Sequence, residues 1–341
     1  MKVSTLGLDL AKNVFQIHGV DDKGNVTVRR QLRRQQMFSF FSDLPPCLIG
    51  LEACGTAHYS ARELEARGHD VRIIPPSYVK PYVRRGKNDA ADAEAICEAV
   101  GRPSIRFVPV KSEDQQAALM QHKARELLIR QQNMLVNALR SHMAEMGLIA
   151  TQGRERLNRI VDVIMEDEDE SLPALARASL RPLVAMLQAN KAAIDEIDRE
   201  IKAAHKENEV SQRLASIPGV GVLTASAIAA TVPDPSFFKS GREFAAWLGL
   251  VPRQNSSGGK ERLGRISKQG NRYIRKLLVI GATSMLKIVR RKSSRQADWA
   301  KRLLERKPTK LVTIAMANKA ARIAWALMTK KEIYRATTIA V

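Results

Sequence analysis

The sequence predicts an α/β domain at the N-terminus, a middle of long helices and a basic, mostly α-helical C-terminal domain. Three observations predict it. Short β-rich runs alternate with helical spacings over the first hundred residues. Strand candidates, glycines and aromatics then nearly vanish between Ser112 and about Asn208. From Lys260 to Arg335, finally, 22 Lys and Arg stand against four acids. A chain of 341 residues is long enough for two or three separately cored domains, and the boundaries expected are 1–110, 111–210 and 211–341.

Val3 to Leu10 opens the chain as a strand and Val14 to Val20 is a second. The turn-forming Asp21-Asp22-Lys23-Gly24-Asn25 leads into Val26 to Leu32, which makes a hairpin. Gln36 to Leu44 has helical spacing and stops at Pro45-Pro46. Cys47 to Glu52 reads as a buried strand, Thr56 to Arg67 as a helix ending at Gly68, and Val71 to Ile74 as a strand ending at Pro75-Pro76. A last helix runs through Asp89 to Val100, bounded by Gly101 and Pro103. The order β-β-β-α-β-α-β-α is that of ribonuclease-H-like domains, in which helices cover a sheet.

In the middle, Ser112-Glu113-Asp114 starts a helix that runs to about Met146 and ends at Gly147. A second helix reads from Pro182 to Asn208, with Leu183, Met186, Leu187, Ile194, Ile197 and Ile201 at helical spacing. The acidic stretch Glu166 to Glu170 is a solvated loop between them. Such helices serve either as a coiled coil that pairs subunits or as a spacer packed on its own chain.

The formal net charge is +21, of which Lys260 to Arg335 carries +18. Charge of that size bears on partners rather than on fold, and phosphate backbones are its usual complement; a solvated basic surface or a ribosome-bound protein is the alternative. The asymmetry assigns nucleic-acid binding to the C-terminal region. Three cysteines without a C-x-x-C pair speak against a disulfide framework or a structural zinc, and fit a reducing cytoplasm. No signal-peptide h-region and no uninterrupted apolar run of about 18 residues is found, so a soluble cytoplasmic protein without a membrane span is expected.

Four carboxylates stand out. Asp9 lies in the apolar strand Gly7-Leu8-Asp9-Leu10, where an unpaired charge is expensive to bury. Glu52 ends the apolar strand Ile49-Gly50-Leu51-Glu52. Asp89 and Asp92 fall three apart in Lys87-Asn88-Asp89-Ala90-Ala91-Asp92-Ala93 and so share a helix face, while the alanines let that helix pack closely. Glu94 faces away from them. A few carboxylates with positions left open for phosphate oxygens suit Mg²⁺ or Mn²⁺, and two such ions can clamp both oxygens of a phosphoryl transfer. Taken singly, each acid also fits a turn, a cap or a helix N-terminal charge.

In the C-terminal region, Ile217-Pro218-Gly219-Val220-Gly221 leading into Thr224-Ala225-Ser226-Ala227-Ile228 looks like a helix-hairpin-helix, with Gly219 and Gly221 at a phosphate-binding turn. It lacks the Gly-Lys-Ser/Thr ending of a nucleotide P-loop. Beyond it, the turn Ser256-Ser257-Gly258-Gly259 is surrounded by Arg253, Lys260, Arg262 and Arg265, which puts an exposed hydroxyl in a positive field where attack on a phosphodiester is favoured. The alternative is a loop whose serines cap the Ile266-Ser267-Lys268-Gln269-Gly270-Asn271 segment. Lys268, Arg272, Arg275 and Lys276 are candidate phosphate contacts.

The Leu-Asp-Leu-Ala-Lys-Asn opening, Leu-Glu-Ala-Cys-Gly, Lys-Asn-Asp-Ala-Ala-Asp-Ala, and the Pro-Gly-Val-Gly to Ser-Ser-Gly-Gly stretch resemble, in the same order, the DEDD transposases of bacterial insertion sequences. Within them the chain is similar to the branch of bridge-RNA-guided serine recombinases. The resemblance implies a RuvC-like N-terminal domain, a helical segment that mediates oligomerisation into a homodimer or homotetramer, and a C-terminal transposase domain. It implies divalent metal, Mg²⁺ or Mn²⁺, on Asp9, Glu52, Asp89 and Asp92. It places the nucleophile at Ser257, with Ser256 as the alternate, and forms a phosphoserine link in a site shared between protomers. The partners implied are donor and target DNA and a structured noncoding guide RNA. Two other functions fit the residues: a Holliday-junction nuclease using metal-activated water, and a non-catalytic nucleic-acid-binding protein.

Overall fold

The protein is described by a computed structural model covering residues 3–83, 89–149, 154–167, 171–260, 262–289 and 295–335. Lys87 and Asn88 of the second acidic motif, Glu168 to Glu170 of the acidic stretch, and Glu261 lie outside these. The chain divides into two compact units, Met1–Gln115 with Val232–Phe237, and Gln116–Thr231 with Phe238–Val341.

In the first unit β1 (Thr5–Asp9), β2 (Val14–Val20) and β3 (Val26–Arg33) form an antiparallel meander. The turn between β2 and β3 is held by the Asp21 carboxylate, which accepts from the backbone N–H of Lys23 at 2.9 Å and of Asn25 at 2.8 Å. Helix α1 (Arg34–Ser42) leads to β4 (Leu48–Glu52), and α2 (Ala57–Glu65) to β5 (Asp70–Ile74). Both strands add in parallel on the other side of β1, giving the sheet order β3-β2-β1-β4-β5. One turn, α3 (Pro76–Val79), precedes α4 (Asp89–Val100). The expected α/β order is present, with each expected strand and helix within two residues of its limits; the short α3 is an addition that the sequence did not indicate.

Side-chain alternation explains how the two faces of this sheet are covered. Leu6, Leu8, Ile49 and Leu51 are fully buried and cluster with Ala57, Ala61 and Leu64 of α2. Gly7 and Gly50, paired across β1 and β4, point to the other face. There α4 lies against the strands: a Cβ on Gly7 would stand 2.1 Å from the Ala93 carbonyl oxygen, and one on Gly50 2.8 Å from Val100 Cβ. Only glycine admits a helix this close.

The second unit is helical apart from one hairpin. Helix α5 (Glu113–Glu145), most of which belongs to it, runs antiparallel to α7 (Ala174–Glu207): Arg125 pairs with Asp198 at 2.5 Å, and Gln121 donates to Glu200 at 3.1 Å. Between them α6 (Arg154–Met165) contributes Ile160 and Ile164 to a core with Leu139, Met143, Leu180, Val184 and Leu187. The expectation that the second long helix begins at Pro182 is corrected. It begins at Ala174, and Pro182 lies inside it. Interior proline removes one backbone hydrogen bond; here buried Leu180, Val184 and Leu187 around it hold the helix in place. Buried Arg177 ties α7 to the end of α6, donating to the carbonyl oxygens of Val163, Ile164 and Glu166.

Two short helices follow, α8 (Glu209–Ala215) and α9 (Val222–Thr231), then α10 (Gly241–Trp247). Strands β6 (Pro252–Gln254) and β7 (Leu263–Ile266) pair antiparallel, and α11 (Arg272–Val289), α12 (Arg295–Leu304) and α13 (Thr309–Lys330) close the unit. Helix α13 is apolar and long enough to cross a membrane by length and composition, but half of its most apolar window is buried. It packs against α10 and α11 through residues such as Ala317, Ala321 and Ala324.

Candidate metal centre and cationic hairpin

Asp9 and Glu52 end adjacent parallel strands one register position beyond the Leu8–Leu51 pair. Each stands two residues after a glycine that faces α4, so both carboxylates leave the sheet on the α4 side. The helix whose backbone rests on Gly7 and Gly50 begins just beyond them, with Asp89 and Asp92 in its first turn. Ligand oxygens of Asp9, Asp89 and Asp92 all lie within 4.8 Å of one another. The ends of parallel strands are where α/β sheets place their ligands.

Electrostatics ties Glu52 to the same group. Burial and the charges of Asp92, Asp89 and Glu52 push the Asp9 carboxyl up to about 6. Glu52 is also raised, by burial and by Asp92. Among the described residues no lysine or arginine ion-pairs with any of the four. Glu94, expected to face away, reaches Arg29 at 4.0 Å instead. An oxygen-only donor set of mutually repelling carboxylates fits a hard divalent cation, which would relieve the repulsion.

The serines stand on the hairpin that joins β6 to β7. Gly258 (φ +56°) and Gly259 (φ +75°) occupy its tip, with the Lys260 N–H donating to the Ser257 carbonyl oxygen at 3.1 Å. Two successive positive φ values make the primed turn that favours tight hairpins, and Gly-Gly is its sequence signal; the turn expected at Ser-Ser-Gly-Gly is present, with two short strands beside it that the sequence did not indicate. The two hydroxyls differ. Ser256 Oγ accepts from the Arg262 backbone N–H at 3.2 Å across the hairpin. Ser257 is exposed beside the turn, and no hydrogen bond of its hydroxyl occurs among the described residues. Neither caps the 266–271 segment; Asn271 does that for α11, accepting from the Ile274 N–H at 3.0 Å.

The basic candidates are distributed unevenly. Lys260, Arg262, Arg265, Lys268 and Arg272 are exposed. Arg253 donates to the Ser267 carbonyl at 3.2 Å, and Lys276 pairs with Glu126 at 3.5 Å. Arg275 donates to the carbonyl oxygens of Leu248 at 2.8 Å and Gln269 at 2.6 Å. Its guanidinium therefore clamps the turn before α11. Gly219 (φ +85°) packs on α11, where a Cβ on Gly281 would lie 1.8 Å from the Gly219 carbonyl oxygen, whereas Gly221 is exposed at the start of α9.

Comparison with known proteins follows these two halves. Residues 6–147 match a DEDD family described as "Transposase", and residues 211–298 match one described as "Transposase IS116/IS110/IS902 family". The chain is 49% identical over 336 residues to the "Probable family 20 transposase" of Pseudomonas aeruginosa, covering 98% of this chain and 99% of that one. It is 40% identical to the "Transposase for insertion sequence element IS1111A" of Coxiella burnetii, covering 98% and 92%. With the "Transposase for insertion sequence element IS1328" of Yersinia enterocolitica it shares 39% identity, covering 97% and 98%.

Proposed function

The chain belongs to the IS116/IS110/IS902 family of insertion-sequence transposases, and from that premise we propose that it is an RNA-guided recombinase in which the four carboxylates hold divalent metal and Ser257 attacks DNA. The convergence of Asp9, Asp89 and Asp92 within 4.8 Å carries the reading. The sheet order β3-β2-β1-β4-β5 supports a RuvC-like, ribonuclease-H-like frame for it. Mg²⁺ or Mn²⁺ bound there would neutralise a scissile phosphate and the charge that grows on its oxygens during transfer.

The protein's own groups supply the rest. Ser257 Oγ forms a bond to phosphorus as the bond to the leaving deoxyribose oxygen breaks, giving a phosphoserine link and a free hydroxyl. The serine proton is accounted for on that leaving oxygen. Exposed Lys260, Arg262 and Arg265 around the hairpin favour the build-up of negative charge. Ser257 is preferred to Ser256 because the latter's oxygen is engaged with Arg262. The turn before α9, in this reading a helix-hairpin-helix, positions backbone phosphates, with Gly221 nearer to them than packed Gly219. The long α5 and α7 helices pair subunits, so that one protomer's carboxylates serve another's serine. A structured noncoding RNA selects donor and target DNA, and the work is done in the cytoplasm at the nucleoid.

Recombination between element ends and a target plasmid tests this. Loss in Ser257→Ala, with a DNA-linked protein band present in wild type and absent from the variant, supports the serine mechanism. Full recombination in both Ser257→Ala and Ser256→Ala would overturn it in favour of metal-activated water. Full recombination in an Asp9→Asn, Glu52→Gln double variant would overturn the metal site and favour a non-catalytic binder.

A further inference from the structure

The second unit holds an open groove of about 1760 Å³ between β7, α10, α11, α12 and α13. That exceeds the roughly 300–1,000 Å³ of small-molecule sites and leaves room for a longer chain. Six cations line it: Arg242, Arg265, Lys268, Lys310, Lys319 and Arg322. No acid does so among the described residues. Five of the six are exposed, and Lys319 is half-buried with its Nζ 4.4 Å from the centre of the Trp299 ring. Between the cations the lining turns apolar, with Leu250, Ile266 and Ile314, and it includes Trp299 and Trp325. These are two of the chain's three tryptophans; the third, Trp247, stacks on Phe244 outside the lining.

We propose that this groove binds an unpaired DNA strand, its phosphates on the cationic rim and its bases on the tryptophans and apolar floor. Charge complementarity selects a polyanion. A duplex keeps its bases stacked on one another and would leave the apolar floor and both rings unused. An unpaired strand presents phosphates and base faces together, and cation-lined grooves with aromatic side chains are how such strands are held. One wall is formed by Pro252, Gly264, Arg265 and Ile266, on the same hairpin that carries Ser257 at its tip. The occupant is then a strand separated from its partner beside the β6–β7 hairpin. The inference rests on the reading that this unit handles DNA, but not on which group performs the attack.

The test uses the full chain, a single-stranded oligothymidylate and a duplex of equal length, with anisotropy for affinity and intrinsic tryptophan emission for contact. Oligothymidylate should bind more tightly than duplex and quench the emission; Trp247→Phe should keep the quench. Lys310→Glu with Arg322→Glu, both exposed and checked for an unchanged melting temperature, should weaken strand binding on the order of tenfold or more. Trp325→Ala should weaken it on the order of tenfold. Unchanged emission at saturation, equal binding of the duplex with equal quench, or full affinity in the double charge variant would each overturn the proposal. Preference for oligouridylate would also overturn it, in favour of RNA. Failure here with recombination still lost in Ser257→Ala removes the groove alone. Quenching with recombination retained in both serine variants removes the serine mechanism alone.

Discussion

The acidic centre and the serine hairpin hold their polar groups by opposite means. Asp9 and Glu52 end strands whose three central residues are buried, and the helix bringing Asp89 and Asp92 is seated on two glycines of those strands. Their geometry is a consequence of core packing, and the repulsion among them is part of the folded state. Ser257 stands on a two-residue turn with every residue from Pro252 to Lys260 exposed. The hairpin's shape comes from local backbone preference and a few hydrogen bonds. Damage to the first site should therefore travel through stability, whereas damage to the second should alter chemistry and leave the fold intact.

The largest expected effect is the chemical one. Ser257→Ala should reduce recombination on the order of 10⁴-fold or more, as loss of a nucleophile does, with an unchanged melting temperature. Ser256→Ala should reduce it by about tenfold or less, since it removes only one hairpin hydrogen bond. Equal losses would break the distinction between the two hydroxyls. Asp9→Asn should follow, at roughly 10²-fold or more. It should also abolish any Mg²⁺-dependent rise in melting temperature.

A smaller effect separates core from surface directly. Gly7→Ala forces a Cβ into the α4 backbone and should cost about 1–3 kcal/mol by thermal melting. Gly259→Ala meets no atom within 4 Å and carries only the strain of a positive φ, about 1 kcal/mol. A Gly7→Ala protein that melts like wild type would refute the close helix seat on which the acidic centre depends.

The smallest effect is in pH, and it has opposite signs in the two units. Asp9 is raised from 3.8 to about 6. The folded state thus holds a proton that the unfolded chain has lost, and this contribution, full below about 4, is lost as pH rises through 6. At a half-buried group it amounts to about 1 kcal/mol after solvent screening. His122, buried in α5 with Tyr273 Oη at 3.2 Å and Ser226 Oγ at 3.1 Å, is lowered to about 4. Its contribution is full above 6.5 and is lost as pH falls through 4. Metal-free melting curves of wild type, Asp9→Asn and His122→Gln between pH 4 and 8 check both signs. Slopes that the two substitutions leave unaltered would refute them.

Much of the first unit was legible because strand alternation and turn residues are local signals. Val14 to Val20 appears with the limits expected, and the four acids were picked out before their geometry was known. The second unit was less legible. Helix α6 is not among the expected elements although Leu157, Ile160, Val161 and Ile164 keep helical spacing; between the two long helices only the acidic stretch Glu166 to Glu170 is assigned, as a loop. Pro182 reads as a helix start in the sequence, since local preference contains no term for neighbours that hold a proline inside a helix. The Ser-Ser-Gly-Gly turn is legible from its glycines, but β6 and β7 beside it are not, because three and four nearly all exposed residues carry no alternation.

Composition and residue order alone determined the α/β beginning, the helical remainder, the concentration of positive charge after Lys260, and which carboxylates and hydroxyls were candidates. Those properties follow from local periodicity and from charge, which need no knowledge of distant contacts. Tertiary structure decided the rest. It placed Asp9 within 4.8 Å of residues eighty positions away, and it did so through Gly7 and Gly50, whose missing side chains matter only once α4 lies on them. It separated Ser256 from Ser257 by one backbone N–H. It turned Arg275 inward as a clamp, and it gathered Arg242, Lys310 and Arg322 with two tryptophans around one groove. Each of these depends on which surfaces meet, and packing between segments remote in sequence settles that.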